Sequence, residues 1–347
     1  MNIKEKLKKH LAVLFVMCLI VSIIPVNNYE VEAASSKFID AKAGALKVKG
    51  TKLVDKKGRT VQLRGVSTHG LSWYPQYANE KCFKELHDKW GVNVIRLAMY
   101  TSEYNGYCTS DSKNKKKLKD LIIKSVKAAK KCNMYVIIDW HILSDGNPNT
   151  YLSESKEFFH AMSKTFKNYT NVIYEICNEP NGGTTWKQIK SYAMKVIPVI
   201  KKNDKDAVVI VGTPNWSQYV NEAAKDPITK YSNIMYALHF YAGTHKAELR
   251  NTMVKAVKKK LPIFVSEFGM TDASGNGYVD KQETEKWFNT MNKYNIGYCA
   301  WSLSNKPESS ALINSSCTKK YGFKKSDLSE SGRWIYLMYR KYAGKTK

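Results

Sequence analysis

Two glutamates stand where apolar runs stop. "VIYEICNEPNG" ends a β-branched stretch on Asn178-Glu179-Pro180, and "PIFVSEFG" ends another on Glu267. A proline forces the residue before it into an extended conformation, so Glu179 sits on a stiff strand terminus. Two carboxylates facing each other across a gap can cleave a glycosidic bond, provided one is protonated to donate to the leaving oxygen and the other is ionised to attack. Their environments must then differ. Arg96 and the Tyr241 hydroxyl are candidates for keeping Glu267 charged, because a cation and hydrogen bonds favour the anion. Glu179, with fewer such partners, can hold its proton until it is needed.

These residues require a frame that gathers strand ends. Eight apolar runs recur along the chain: "VQLRGVS", "VNVIRLAMY", "MYVIIDWH", "VIYEICNE", "AVVIVGT", "IMYALHFY", "PIFVSEFG" and "IGYCAWSLS". They are β-branched and aromatic with little alternation, the mark of parallel strands covered on their outer face. Between them lie stretches with helical spacing, such as "KKLKDLIIKSVKAAKKC". Strand and helix in alternation imply a parallel sheet, and eight strands close a (β/α)8 TIM barrel. The rival doubly wound sheet would need a glycine-rich phosphate turn after its first strand. "RGVSTHGLSW" lacks that spacing. The lead-in "LKVKGTKLVDKKGRTVQL", with Gly50 and Gly58 at its turns, predicts a short N-terminal β-hairpin.

A barrel brings all the strand ends to one mouth, and here nearly every end is polar or aromatic. His69 and Trp73 follow the first run, and Arg96 and Tyr100 lie in the second. Asp139, Trp140 and His141 end the third, Asn178 and Glu179 the fourth, and Trp216 follows the fifth. His239 and Tyr241 end the sixth, Glu267 the seventh, and Trp301 the eighth, with Asn305 and Lys306 beyond it. Taken singly, His141 and His239 could be core histidines, and Trp73 and Trp216 packing residues. Eight functional ends together point to a site.

The motifs "LRGVSTHGLSWYPQY", "GVNVIRLAMY", "VIIDWHIL", "VIYEICNEPNG", "ALHFYAGTH", "FVSEFG" and "AWSLSNKPESS" resemble the glycoside hydrolase family 5 cellulases, and within them the bacterial endo-β-1,4-glucanases. The resemblance runs from about residue 41 to about 343. It implies a secreted endoglucanase that hydrolyses internal bonds of a β-1,4-glucan by a retaining double displacement. In that reading Glu179 is the acid/base, Glu267 the nucleophile, and Asn178 a partner of the sugar 2-hydroxyl. Arg96 and Tyr241 orient the nucleophile, and His141 and His239 line the reacting subsite. Trp301 is a platform under the sugar, with Tyr100 beside it. His69, Trp73, Lys306 and Glu308 hold the non-reducing side, and Trp216 the leaving side. No cofactor and no metal are implied. A mannanase, a xyloglucanase or a mixed-linkage glucanase would share this chemistry. A non-catalytic glycan-binding wall protein would be expected to lack a carboxylate.

The remaining features bound the setting. Lys4, Lys6, Lys8 and Lys9 precede "LAVLFVMCLIVSIIP", and a small residue, Ala33, follows. This predicts a secretory signal peptide over residues 1–33 and a catalytic domain over 34–347, extracellular and with no membrane segment after processing. The net charge of +26 rests mainly on lysines in runs such as "KNKKKLK" and "KAVKKK". A solvated outer face accounts for them, and electrostatic association with an anionic cell wall is the sharper expectation. No nucleic-acid-binding module accompanies them. Six of the seven cysteines lie beyond residue 33, and a core of this size predicts mostly free thiols. "DASGNGYVDKQE" (272–283) has the spacing of a calcium loop but follows a strand, and Asp280 with Glu283 suits a helix start better. Glu175, inside the fourth run, is expected to need an ion-pair partner in the barrel, with Arg64 the candidate.

Overall fold

The computed structural model describes residues 37–345, so the expected signal segment lies outside the described residues. Eight parallel strands form a closed barrel in the order β10-β3-β4-β5-β6-β7-β8-β9. They are β3 (Arg64–Thr68), β4 (Val94–Tyr100), β5 (Tyr135–His141), β6 (Val172–Glu175), β7 (Val208–Val211), β8 (Ile234–Tyr241), β9 (Ile263–Gly269) and β10 (Tyr298–Leu303). Each coincides with one of the eight apolar runs. The helices between and after them are α1 (Glu80–Glu85), α2 (Ser112–Lys131), α3 (Leu152–Phe166), α4 (Trp186–Asn203), α5 (Val220–Lys225), α6 (Ala247–Lys258), α7 (Lys281–Tyr294) and α8 (Glu330–Tyr342). No described helix is long and apolar enough to cross a membrane.

Strand alternation divides the core in two. Ile95, Leu97 and Met99 of β4 face outward and join the helix-covered cluster with Ile122, Phe158 and Phe159. Val94, Ile137, Ile173, Ala237 and Phe264 face inward and fill the lower barrel. The hairpin of β1 (Lys47–Lys49) and β2 (Lys52–Val54) turns on Gly50 at φ +60, where a side chain would be strained. It delivers Leu53, with Leu46 just before it, into that lower cluster, so the hairpin plugs the bottom of the barrel.

Strand β9 breaks the alternation. Ala237 of β8 pairs with Phe264, but His239 pairs with Glu267, so three steps on β9 oppose two on β8. Against β10 the same extra residue appears between Val265 and Phe268. Such a β-bulge re-aims side chains. Here it lets successive residues, Ser266 and Glu267, both make contacts inside the barrel.

All six described cysteines are free thiols, and Cys82, Cys177 and Cys299 are fully buried. Asp280 caps α7, its carboxylate accepting from the Glu283 N–H at 2.9 Å. The Glu283 carboxylate turns away to Arg250 and Lys286, so the capping box is only half made.

Candidate active site

The upper strand ends open into a cleft of about 690 Å³. His69, Trp73, Tyr100, His141, Glu179, Trp216, His239, Tyr241, Glu267, Trp301, Lys306 and Glu308, all singled out in the sequence, line it. Arg96 and Asn178 are the exceptions. Both are fully buried and lie beneath the surface of the cleft, supporting the residues that reach it.

A carboxylate oxygen of Glu179, one of Glu267 and a ring nitrogen of His239 lie within 4.8 Å of one another. The Glu267 carboxylate accepts from Arg96 Nη1 at 3.0 Å and from the Tyr241 hydroxyl at 2.8 Å. Glu179 Oε1 lies 2.9 Å from His239 Nδ1. The two carboxylates therefore have different surroundings. The same three residues could in principle hold a cation. However, both nitrogens of His239 and both oxygens of Glu267 already have hydrogen-bond partners, so the donor set does not fit a metal site.

Arg96 is the hub of the upper barrel. Besides Glu267, its guanidinium donates to Glu175 Oε2 at 2.7 Å and to Asn178 Oδ1 at 2.6 Å, and lies 3.0 Å from Asp139. Glu175 thus has its ion pair, but with Arg96 and not with Arg64. The reason is strand parity. Ser67 of β3 reaches Arg96 inside the barrel, so Arg64, three residues earlier, points the other way. Its guanidinium donates to Gln62 and faces the ring of Tyr342 on α8. Burial pushes the Glu175 carboxyl up, but the adjacent Arg96 and the His239 contact outweigh it and hold its pKa down to about 2.

The hydrogen bonds also fix the histidines. Asn178 Oδ1 accepts from Arg96, so its amide nitrogen faces His141 Nε2 at 3.2 Å and donates to it. His141 Nδ1 must then carry the proton that bonds Asp139 Oδ2 at 2.6 Å. Burial and the Arg96 charge lower His141 to about 3, so it is neutral. Burial and Lys306 do the same for His69, also to about 3. His239 goes the other way. Burial lowers it, but the contacts with Glu175 and Glu179 and the charge of Glu267 outweigh that and raise it to about 9.

Aromatic surfaces line the walls. Trp301 stacks on His141 with ring centroids 5.3 Å apart, and Trp73 lies 4.5 Å from Tyr100. The Trp73 indole N–H donates to the Tyr104 carbonyl, which fixes the ring at the rim. Trp216 is 44% exposed, enough to offer a free ring face. It sits in a turn where Asn215, Trp216 and Ser217 all have positive φ near +55. Ser217 Oγ donates to the Asn178 carbonyl at 2.6 Å and Trp216 N–H to that of Pro180, so the turn is tied to the Glu179 segment. At the opposite rim Lys306 pairs with Glu308 at 2.6 Å.

Sequence reasoning missed several lining residues: Glu103, Asn215, Gln218, His245 and the Ala273–Gly275 loop. All lie in connections without periodicity. The loop that resembles a calcium site forms part of the cleft rim. Asp272 Oδ1 there accepts from the Ser274 N–H, and its carboxylate organises the turn.

A closed parallel barrel with two unlike carboxylates at its upper mouth, under a wall of aromatic rings, defines a sugar-bond-cleaving enzyme. Residues 54–307 match the cellulase family, glycosyl hydrolase family 5, and the chain belongs to that family. It is a glycoside hydrolase. It is 50% identical over 293 residues to endoglucanase A of Butyrivibrio fibrisolvens, covering 84% of this chain and 68% of that protein. It is 48% identical over 321 residues to an endoglucanase of Clostridium saccharobutylicum, covering 92% and 69%. Among solved structures, a catalytic domain of a Thermobifida fusca endoglucanase with cellotetraose superimposes with a TM-score of 0.81 at 37% identity, over 86% of this chain and 98% of that one.

Proposed function

We propose that the protein is a secreted endo-β-1,4-glucanase that works with retention of anomeric configuration. The observation that carries this reading is the spacing of the carboxylates. Oxygens of Glu179 and Glu267 within 4.8 Å fit the short separation of about 5–5.5 Å used by retaining enzymes. Inverting enzymes leave room for a water, at about 6.5–9.5 Å. Glu267, charged and held by Arg96 and Tyr241, attacks the anomeric carbon while Glu179 protonates the departing glycosidic oxygen. A water then enters, gives its proton to Glu179 and releases the sugar from Glu267. Asn178, fixed by Arg96, holds His141 from beneath the cleft floor as the cleft accommodates the distorted ring over Trp301, so the 2-hydroxyl contact expected for it is not one its buried amide reaches.

The open cleft supports internal cleavage, and the names of the related enzymes support a β-1,4-glucan as substrate. Secretion is supported by the basic and apolar leader read from the sequence. Association with an anionic wall is supported by α2, where Lys113, Lys116, Lys117, Lys124, Lys127 and Lys131 are exposed at helical spacing along one face. That association should weaken as salt rises. The test of function is a fall in viscosity with release of reducing sugar from carboxymethylcellulose, compared with mannan and xylan. Release from carboxymethylcellulose above the other two is the expected result. Preference for mannan or xylan would replace the substrate assignment.

A further inference from the structure

The two ends of the barrel carry opposite charge. The cleft above is lined by Glu103, Glu179, Glu267 and Glu308 against one lysine, Lys306. Below, the segment 37–59 that closes the barrel carries eight lysine and arginine side chains against Asp40 and Asp55, a net of +6. Lys37, Lys42, Lys56, Lys57 and Arg59 line a groove of about 390 Å³ there, with Asp40 the one acid among them. The four lysines are exposed, and none has an ion-pair partner among the described residues. Both carboxylates of the segment are already committed. Asp40 accepts from the Lys42 N–H at 3.1 Å and lies 3.4 Å from His87, while Asp55 is bound by the Arg59 guanidinium and the Lys57 N–H. The hairpin that joins the two sides of the groove sets Lys49 directly opposite Lys52. Like charges in that position repel and cost stability, and an anion between them removes the repulsion. On α2, by contrast, Lys116 already pairs with Asp120 and Lys131 with Glu80.

We propose that the lower groove is a docking site for a linear phosphodiester polymer of the poly(glycerol phosphate) kind, which holds the enzyme by its closed end and leaves the cleft free. The inference rests on the wall association proposed above and gives it a site. The chemistry of the groove selects phosphate. The fork of Arg59, the usual planar match for a carboxylate, is occupied by Asp55, with Nε at 2.7 Å and Nη2 at 2.6 Å. What remains are lysines, compact charges whose rotatable N–H groups can donate to a tetrahedral phosphate from any side. A nucleic acid would need an open ring for its bases to stack on. Phe38 is the one ring in the lining, and it is half-buried with the Lys345 ammonium 4.9 Å from its centre. A polyanion is drawn to the lower end and repelled by the acidic cleft, so the attraction itself turns the mouth outward. An uncharged glucan feels neither force.

The test measures binding of poly(glycerol phosphate) to the unmodified enzyme and to two triple variants. One is Lys42→Gln with Lys56→Gln and Lys57→Gln, and the other is Lys113→Gln with Lys117→Gln and Lys124→Gln on α2. The first should bind at least about tenfold more weakly at low salt and depend less steeply on salt, because each lost charge forfeits a phosphate contact. The second loses the same charge and should weaken far less. Equal weakening would mean that overall charge alone is at work and would overturn the site. Polygalacturonate, a carboxylate polymer, should bind the unmodified enzyme more weakly, and equal or tighter binding would overturn the choice of phosphate. Saturating poly(glycerol phosphate) should leave cellotetraose hydrolysis unchanged, whereas inhibition would place the polymer in the cleft and refute the docking site. If the first variant does not fold, lysine acetylation of the unmodified enzyme decides. The polymer should shield Lys42, Lys56 and Lys57 more than Lys113, Lys117 and Lys124, and the reverse refutes the proposal. Failure of the unmodified enzyme to cleave cellotetraose would instead sink the hydrolytic reading, while the binding measurements would still decide the docking site.

Discussion

At its lower end the barrel interior is filled by Val94, Ile137, Ile173, Ala237 and Phe264, sealed by Leu46 and Leu53. One layer higher on the same strands, two residues further along or at the β9 bulge, stand Arg96, Asp139, Glu175, His239 and Glu267, almost entirely shielded from solvent. The lower layer is held by apolar burial, which is non-directional and tolerant of small shifts. The upper layer consists of buried charges that stay inside only because each is paired. It adds little to stability over an apolar filling, yet it fixes the two carboxylates in unlike settings. Packing and chemistry thus share each strand, one register step apart.

The largest effect should follow from removing either carboxylate's charge. Glu179→Gln and Glu267→Gln should each lower the rate by at least about 3 orders of magnitude, roughly 4 kcal/mol of barrier, with Tm little changed. Near-normal turnover in either would contradict the roles assigned to the upper layer.

A pair of substitutions then sets one layer against the other. Phe264→Ala below should cost about 3–5 kcal/mol of stability by leaving a cavity, while the folded fraction keeps its kcat. Arg96→Met above should also cost about 3–5 kcal/mol, because it strands buried carboxylates, but it should depress kcat as well. Denaturant unfolding with parallel kinetics checks both. If Phe264→Ala impairs kcat in the folded fraction as Arg96→Met does, the division fails.

How far this was legible in the sequence follows from the same geometry. Eight apolar runs with polar ends placed Glu179, Glu267, His141, His239 and Tyr241 at one mouth, because each stands at or near the upper end of a strand. A continuous apolar run could not show the β9 bulge, since one extra residue leaves such a run unchanged. It therefore hid Ser266. Nor could it say which arginine Glu175 meets. Arg64 and Arg96 both lie in strands, and only the register of β3 against β4 shows that Ser67, and not Arg64, shares the interior with Arg96. Rim residues such as Glu103 and Gln218 belong to aperiodic loops, whose positions are set by the surface they cross.

Acidification should act through the upper site. His69 and His141 are held to about 3 against an ordinary value of 6.5. The unfolded chain therefore binds more protons in that window, and stability falls as pH drops from 6.5 toward 3. Glu175, held to about 2, adds a loss below its ordinary value of 4.5. His239, raised to about 9, contributes stability that is complete below 6.5 and lost as pH rises through 9. Calorimetric Tm across pH should therefore peak between these limits. A flat profile would mean that the buried histidines are not held as described.

The smallest expected effect lies at the rim. Trp216→Ala should weaken substrate by about 0.5–1.5 kcal/mol, seen in KM, through the lost ring face. Stability should move by no more than about 0.5 kcal/mol plus any strain relieved in its turn. A loss of kcat without a change in KM would place Trp216 nearer the chemistry than the structure does.

The stereochemistry of the first product tests the carboxylate spacing most directly. Proton NMR during cellotetraose hydrolysis should show the β-anomer of the new reducing end first, with the α-anomer growing only by mutarotation. An initial α-anomer would mean that a water, and not Glu267, meets the anomeric carbon, and the account of the site would be wrong.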